Sequence, residues 1–385
     1  MQGLCNGATD KVVARPEAAA DINRIFTDLS TVLSDNDLSS TADRWEVMVA
    51  GPGRARPRVA AVLADALGLP IEAIVDAIYR APGRLLPGLP RVEADRLAAM
   101  LAPLGLDLAV VPAGAVPARA AVRDVAAELL DPDAADAVAM ALGQFLGLAP
   151  AAALDLLLTP PGIVLGNVTP PTVAALAALL PPGAVRLVEV EPDAARYALF
   201  AAGLTRLQAG ALRGHLPPGA VLGDDGSALL LGLTRSEADA LWRRLRAPDK
   251  VRLVPEQLLR FGILLHAAAP TAAATAALER LAGVPAADLP DLLGALPVPV
   301  ESDLPLAGLE ARLADYADAG LTVTAELESF ATVVLEVLAA SEQALAAAGL
   351  SGSAPLATPP LPRPRARLLR HRLEAAGAEV WEAAA

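Results

Sequence analysis

Along most of this chain, apolar and polar positions fall into short runs that Gly and Pro punctuate at regular intervals. Trp45 to Ala50 reads as a short strand, and Gly51-Pro52-Gly53 turns the chain into a helix predicted over 56–67. Gly68-Leu69-Pro70 ends that helix, because Gly suits a left-handed cap and Pro can begin the next helix. The pattern then predicts a second helix over 71–80, stopped by Ala81-Pro82-Gly83, and a brief strand at Leu85-Leu86. A third helix over 92–104 is capped by Gly105, and residues 106–111 form a closing strand. The predicted order is β-α-α-β-α-β.

The same punctuation returns. Gly68, Asp76 and Pro82 are matched without gaps by Gly147, Asp155 and Pro161, and again by Gly283, Asp291 and Pro297. The third helix recurs as well. Gly88-Leu89-Pro90-Arg91, Glu93-Ala94-Asp95, Leu97 and Leu101 are matched by Gly232-Leu233-Thr234-Arg235, Glu237-Ala238-Asp239, Leu241 and Leu245. Leu361-Pro362-Arg363, Ala366, Leu369, Leu373 and Gly377 repeat the pattern once more. A period of this length predicts small tandem domains rather than a thin solenoid. The expected fold is therefore α+β, an array of five small units at 44–112, 118–192, 195–256, 258–328 and 329–383. The third and fifth are shortened around their first two helices, and short linkers make the array stiff. Residues 1–43 differ: Ile22, Ile25, Phe26, Leu29 and Leu33 share one helical face, and a polar linker follows at 34–43. That segment reads either as an amphipathic docking helix or as a helix packed on the first unit.

Gly68-Leu69, Asp76, Ala81-Pro82, Gly88, Glu93-Ala94, Leu97, Leu101 and Gly105 fall at the spacing of a known domain. On these residues the first unit resembles the C-terminal domain of the bacterial ribosomal stalk protein, whose fold is shared with the ClpS protease adaptor. The resemblance covers the first unit well, the second and fourth in part, and only the last helix and strand in the third and fifth. It implies a ClpS-like fold. In the stalk domain, basic residues on the first two helices meet translational GTPases; the corresponding positions here are Arg56, Ala61, Ala64 and Val75. Only Arg56 is basic, so the resemblance implies an apolar surface in place of an electrostatic one. An acidic pocket for a free amino terminus, as in ClpS, has no equivalent among these residues.

Composition narrows the function. The net charge of −13 argues against a general nucleic-acid binder, which needs a basic face. Apolar residues make up 54% of the chain but aromatics only 3%, so Ala, Leu and Val must supply the cores. Cys5 is the sole cysteine, which excludes a disulfide framework and fits a reducing cytoplasm. The uncharged stretch 261–278 carries His266 and Pro270 and is rich in alanine; it reads as strand, turn and helix, not as a membrane span. No secretion signal opens the chain.

Candidate chemistry is sparse. His215, His266 and His371 fall in three different units, and none has the local partner that a metal site draws on. Gly51-Pro52-Gly53-Arg54 lacks the ending of a phosphate loop, and Gly223-Asp224-Asp225-Gly226 lacks the closing Glu of a calcium loop, so both read as turns. Asp131 and Asp133 flank Pro132 just before a helix, where acids cap exposed amides. The one basic cluster is Arg363, Arg365, Arg367, Arg370 and Arg372, in which Arg363, Arg367 and Arg370 stand at helical spacing. It reads as a solvated helix face or as a docking surface for an acidic partner, either RNA or the acidic face of another copy of the chain. No catalytic, cofactor or metal residue is expected, so the chain does not read as an enzyme. The partner-binding candidates are Ile22, Ile25, Phe26, Leu29, Arg363, Arg367 and Arg370. The expected function is a cytoplasmic, non-enzymatic scaffold or adaptor for protein partners. The alternatives are a recruiter of a GTPase or translation factor, and a self-assembling structural protein.

Overall fold

The computed structural model describes residues 44–115, 120–213, 227–245, 249–269 and 271–384. The amphipathic segment with Ile22, Ile25, Phe26, Leu29 and Leu33, together with His215 and the turn 223–226, lies outside the described residues. The protein is of mixed α+β class with five small antiparallel sheets. By compactness the described chain divides into two units: residues up to 120 with Thr169–Ala175, and the remainder from Ala121.

In the first unit β1 (Arg44–Gly51) is followed by α1 (Arg58–Leu67), α2 (Ile71–Tyr79), β2 (Gly83–Pro90), α3 (Arg91–Leu101) and β3 (Asp107–Pro112). The sheet order is β2-β1-β3, so the first strand is central and pairs Val47 with Leu86 on one side and Val110 on the other. β2 is longer than its two leucines suggest, because β1 offers it paired backbone over its whole length. α3 ends at Leu101 and not 104; Pro103 cannot donate an α-helical bond, and a 3-10 turn carries the chain to Gly105. α1 buries Ala60, Leu63 and Ala64 at i, i+3 and i+4. Ala64 is thus a core residue and not part of the surface expected on the first two helices, whereas Arg56, Ala61 and Val75 are exposed. The core joins these helices to Val47 and Val49 of β1. Thr169 and Thr172 belong to this unit too; both are fully buried, and their hydroxyls donate to the Ala81 and Tyr79 carbonyls.

The second unit opens with β4 (Arg123–Leu129), α4 (Ala135–Leu146), α5 (Pro150–Leu157) and β5 (Ile163–Val168). α6 (Pro170–Ala177) is shared in sequence with the first unit, and β6 (Val185–Val190) closes a sheet of order β5-β4-β6. Next come β7 (Tyr197–Ala201), α7 (Arg206–Arg213), β8 (Ala228–Leu233), α8 (Arg235–Leu245) and β9 (Val251–Pro255), in the order β8-β7-β9. The third group is β10 (Arg260–Ala268), α9 (Ala272–Ala277), α10 (Leu289–Gly294), β11 (Val298–Pro305), α11 (Leu309–Asp318) and β12 (Leu321–Leu327), ordered β11-β10-β12. The last is β13 (Thr332–Ala339), α12 (Glu342–Ala347), the short β14 (Leu356–Ala357) and β15 (Leu361–Pro362), α13 (Arg363–Ala375) and β16 (Glu379–Ala384), all three strands pairing β13.

Three features recur across these sheets. The central strand always sends two apolar residues into its own core: Val125 and Ala127, Leu199 and Ala201, Ile263 and Leu265, Leu335 and Val337, all nearly inaccessible. Gly68, Gly147 and Gly283 end their helices in the left-handed conformation that the sequence pattern calls for. Lastly, the strand that pairs beside Val47, Val125, Leu199 and Ile263 carries a bulge, and two residues past the paired one lies Gly88, Asn167, Gly232 or Asp303. All four have positive φ, with Asn167 at 62° and Asp303 at 64° the two non-glycine cases.

In the second unit the opposite faces of three sheets share a further core. Ala126 and Val190, Ala198 and Val254, and Leu258, Leu259 and Phe261 come together with Leu309. Phe200 stacks on Phe330 with ring centroids 4.6 Å apart. Among the described residues no single helix is long and apolar enough to cross a membrane; one helix pair, 132–146 and 150–157, has the length and composition only when taken together, and it bends by 104° between its halves. Its apolar side chains Val138, Leu142 and Phe145 are buried.

Candidate functional site

The second unit contains a cleft of about 130 Å³. Its apolar wall is built by Ala126, Ala127 and Leu129 of β4, Leu157 and Leu158 at the end of α5, Val188 of β6, Leu258, and Leu368 of α13. Its charged rim is Glu128, Arg260, Asp303, Glu328, Arg363 and Arg367. Three rim residues, Arg260, Asp303 and Glu328, owe their place to local features of the chain. Arg260 opens β10 with its amide donating to Ser329 Oγ at 2.6 Å. Asp303 occupies the left-handed bulge position, and its amide donates to Glu328 Oε2 at 2.8 Å. A Cβ on Gly262 would lie 2.6 Å from Glu328 Oε1, so the missing side chain leaves the space in which that carboxylate sits.

The charges are unequally satisfied. Glu128 is held by Arg186, whose Nε donates to it at 3.0 Å, and by Arg260 Nη2 at 3.7 Å. Glu328 pairs with Arg363 in a close contact and also accepts the Asp303 amide. Arg260 is fully engaged: its Nη1 donates to the Gln257 and Leu259 carbonyls at 3.1 and 3.0 Å, and its Nε lies 3.8 Å from Asp303. Burial, and then the nearby Glu128, push the Asp303 carboxyl above the usual carboxylate range, against the pull of Arg367, Arg260 and Arg186. Two donors have capacity to spare. The Arg363 Nε is buried without a hydrogen-bond partner, and Arg367 is exposed and makes no ion pair within 4.0 Å among the described residues.

α13 therefore brings together two of the three candidate arginines. Arg363 and Arg367 reach the cleft, while Arg370 turns to Glu374 one turn on, with Nε and Oε1 2.6 Å apart. The rest of the basic cluster meets acids of this same chain. Arg365 pairs with Asp155, Arg372 with Asp136 at 2.8 Å, and His371 Nε2 with Asp133 Oδ1 at 2.7 Å. Beneath these pairs, Leu368 packs on Ala135 and Leu158. The helix has found an acidic surface more than 200 residues away along the chain.

The remaining candidates are structural. Asp131 caps the turn at 132–134 through a 3.0 Å bond from the Asp133 amide. His266 Nε2 bonds Thr324 Oγ1 at 2.8 Å across the sheet. Gly51-Pro52-Gly53-Arg54 is a turn tied down by the Arg54 amide on the Gly105 carbonyl at 2.8 Å. No cluster of metal-ligating side chains occurs among the described residues. Sequence reasoning missed Glu128, Arg260, Asp303 and Glu328. The only signal was positional: Asp303 stands where Gly88 and Gly232 stand in the matching patterns, a polar residue in a glycine's place. Compared with known proteins, the chain matches no family model, no curated protein and no solved structure.

Proposed function

We propose that this protein is a non-enzymatic scaffold or adaptor: five tandem β-α-α-β-α-β units, similar to the stalk-protein C-terminal domain, that hold protein partners in the cytoplasm. The observation that carries the reading is the cleft. Its apolar wall and mixed-charge rim draw on residues 126–162, 258–329 and 363–368, a surface that no single unit of the array could supply. Concave, mostly apolar sites with a few placed polar groups are where proteins take ligands and partner segments. The recurring central strand, helix-ending glycines and left-handed bulge residues support a common ancestry for the units. The head-to-tail alternative called for α13 to meet the acids of another copy. Asp133, Asp136 and Asp155 of the same chain engage it instead, which favours the adaptor over self-assembly.

The test is affinity capture of the full chain from its own cell extract, at low and high salt, followed by native mass measurement. A protein bound at fixed stoichiometry is the expected result. Recovery of the chain alone, as a monomer at every concentration, would overturn the scaffold reading. Recovery of the chain in higher copies of itself would replace it with self-assembly.

A further inference from the structure

We infer that the reverse face of the last sheet docks an arginine-bearing apolar segment of a partner protein, its guanidinium laid on the Trp381 ring beside the Glu336 carboxylate. The inference rests on the reading of the chain as a partner-holding scaffold and names the chemistry of what it holds.

The five sheets supply the comparison. In each central strand one residue stands between the two that enter the strand's own core, and strand alternation turns it to the reverse face. That residue is Met48, Ala126, Phe200, Leu264 or Glu336. Met48 and Ala126 are buried and Phe200 and Leu264 half-buried, whereas Glu336 is exposed. Trp381 of β16 is the direct partner of Glu336 across the strands and is 63% exposed. Leu338 of β13 is 43% exposed, and Val334 pairs with Ala383 on the same side. An aromatic and aliphatic face is thus left uncovered where the earlier sheets of the second unit pack theirs into a shared core.

Charge identifies what covers it. Glu374 and Glu382 are paired, with Arg370 and Arg363. Glu336, and Glu379 two residues before Trp381, make no ion pair within 4.0 Å among the described residues. The third sheet shows the same register position filled. There Phe200 stands beside Arg252, and Phe330 lies against both: its ring stacks on Phe200 with centroids 4.6 Å apart, and the Arg252 guanidinium is 5.5 Å from its centroid. Ring and cation on the strands receive an aromatic side chain. In the last sheet the strands offer ring and carboxylate, so the group that completes the site is a flat cation. Arginine meets both demands, stacking on indole while its N–H groups donate to a carboxylate. Leu338 and Val334 stand two residues either side of Glu336 on β13. An extended segment laid along that strand therefore carries aliphatic residues two positions either side of its arginine. The net charge of −13 draws such a segment in.

The experiment is fluorescence anisotropy of the full chain with a labelled peptide, Ser-Leu-Ser-Arg-Ser-Leu-Ser, blocked at both ends. Comparison peptides replace the arginine by citrulline, which keeps its shape without its charge, or by lysine, or replace both leucines by serine. The arginine peptide binds saturably. The citrulline and leucine-free peptides bind at least about ten-fold more weakly, and the lysine peptide about three-fold more weakly. Trp381→Ala weakens the arginine peptide about ten-fold, Trp381→Phe restores part of the loss, and Glu336→Gln weakens it about three-fold. Glu342→Gln, at an exposed acid of α12, makes the same change in net charge and leaves binding as it was. Unchanged thermal melting confirms that the variants fold. Absence of saturable binding, equal binding of the citrulline peptide, indifference to Trp381→Ala, or equal effects of Glu342→Gln and Glu336→Gln would overturn the inference. So would a dimer in native mass measurement that Trp381→Ala dissociates, because a second copy would then be the occupant. None of the peptide results touches the capture experiment above, so the scaffold reading stands or falls separately.

Discussion

β1 of the first unit and β7 of the second are both central strands, and both send two residues into a core roofed by their own helices: Val47 and Val49 in one, Leu199 and Ala201 in the other. They differ on the reverse face. β1 turns Glu46 and Met48 that way, and Glu46 is buried with Arg84 Nε 2.9 Å from its carboxylate. β7 turns Ala198 and Phe200, and Ala198 enters the core shared with β4, β9 and β10 while Phe200 stacks on Phe330. Position by position, the residue before the first core residue is Glu46, Asp124, Ala198 or Gly262. Small apolar residues let one sheet's back approach another's; a carboxylate that needs an arginine does not. β4 combines the two arrangements: its carboxylate, Asp124, is buried and accepts the Asn167 amide at 2.8 Å in place of an arginine, while Ala126 two residues on enters the shared core.

The sharpest way to break this comparison is to put a carboxylate on the merged face. Ala198→Asp buries an unpaired charge, and a loss on the order of 3 kcal/mol or more is expected. Hydrogen exchange read by mass spectrometry should show reduced protection across β4, β7 and β10 and unchanged protection over 44–112. Equal loss in both units would refute independent cores. The converse perturbation is Gly83→Ala, whose Cβ would stand 2.5 Å from the Ala77 carbonyl oxygen. Backbone on both sides must give way, for about 2 kcal/mol, and here only the 44–112 amides should lose protection.

A weaker effect sharpens the comparison within the second unit. Asp133→Asn, Asp136→Asn and Asp155→Asn together remove the acids that meet α13. Because these pairs are exposed, the triple variant should lose about 1 kcal/mol at low salt and almost nothing at high salt in thermal melts. No loss at either salt would mean that Leu368 and its apolar neighbours hold the helix alone. The smallest effect is at Asp303. Its raised folded pKa favours the protonated form, so its stabilising contribution is present at acid pH and lost as the pH rises through that pKa. Asp303→Asn, a residue the left-handed bulge already accepts at 167, should stabilise the second unit at neutral pH by under about 0.5 kcal/mol, small because the site is half-exposed. The gain should fade as the pH falls through about 4 and vanish well below it, where aspartate is protonated in either state. A gain that grows toward acid pH would contradict the assignment.

Local elements were legible because their causes are local. Gly68, Gly147 and Gly283 stop helices by their own conformational freedom, and the α3 and α8 cores follow from apolar spacing at Ala94, Leu97, Leu101 and Ala238, Leu241, Leu245. The arginine cluster was visible as a cluster, yet not its use. Whether Arg372 meets solvent, a partner or Asp136 depends on how β13 and α13 are carried back to α4, a path that apolar spacing within α13 does not encode. The cleft was hidden for the same reason. Asp303, Glu328 and Arg260 are unremarkable in sequence and acquire meaning only when a bulge, a turn and a helix from distant segments meet. From the sequence alone came the mixed α+β class, the strand-helix order of the first group and the glycines that end its helices, because each is decided within a few residues by sterics and hydrogen bonding. Which sheet faces merge, where α13 docks and which charges are left wanting a partner were decided only in the tertiary structure, because burial and electrostatics are set by neighbours far along the chain.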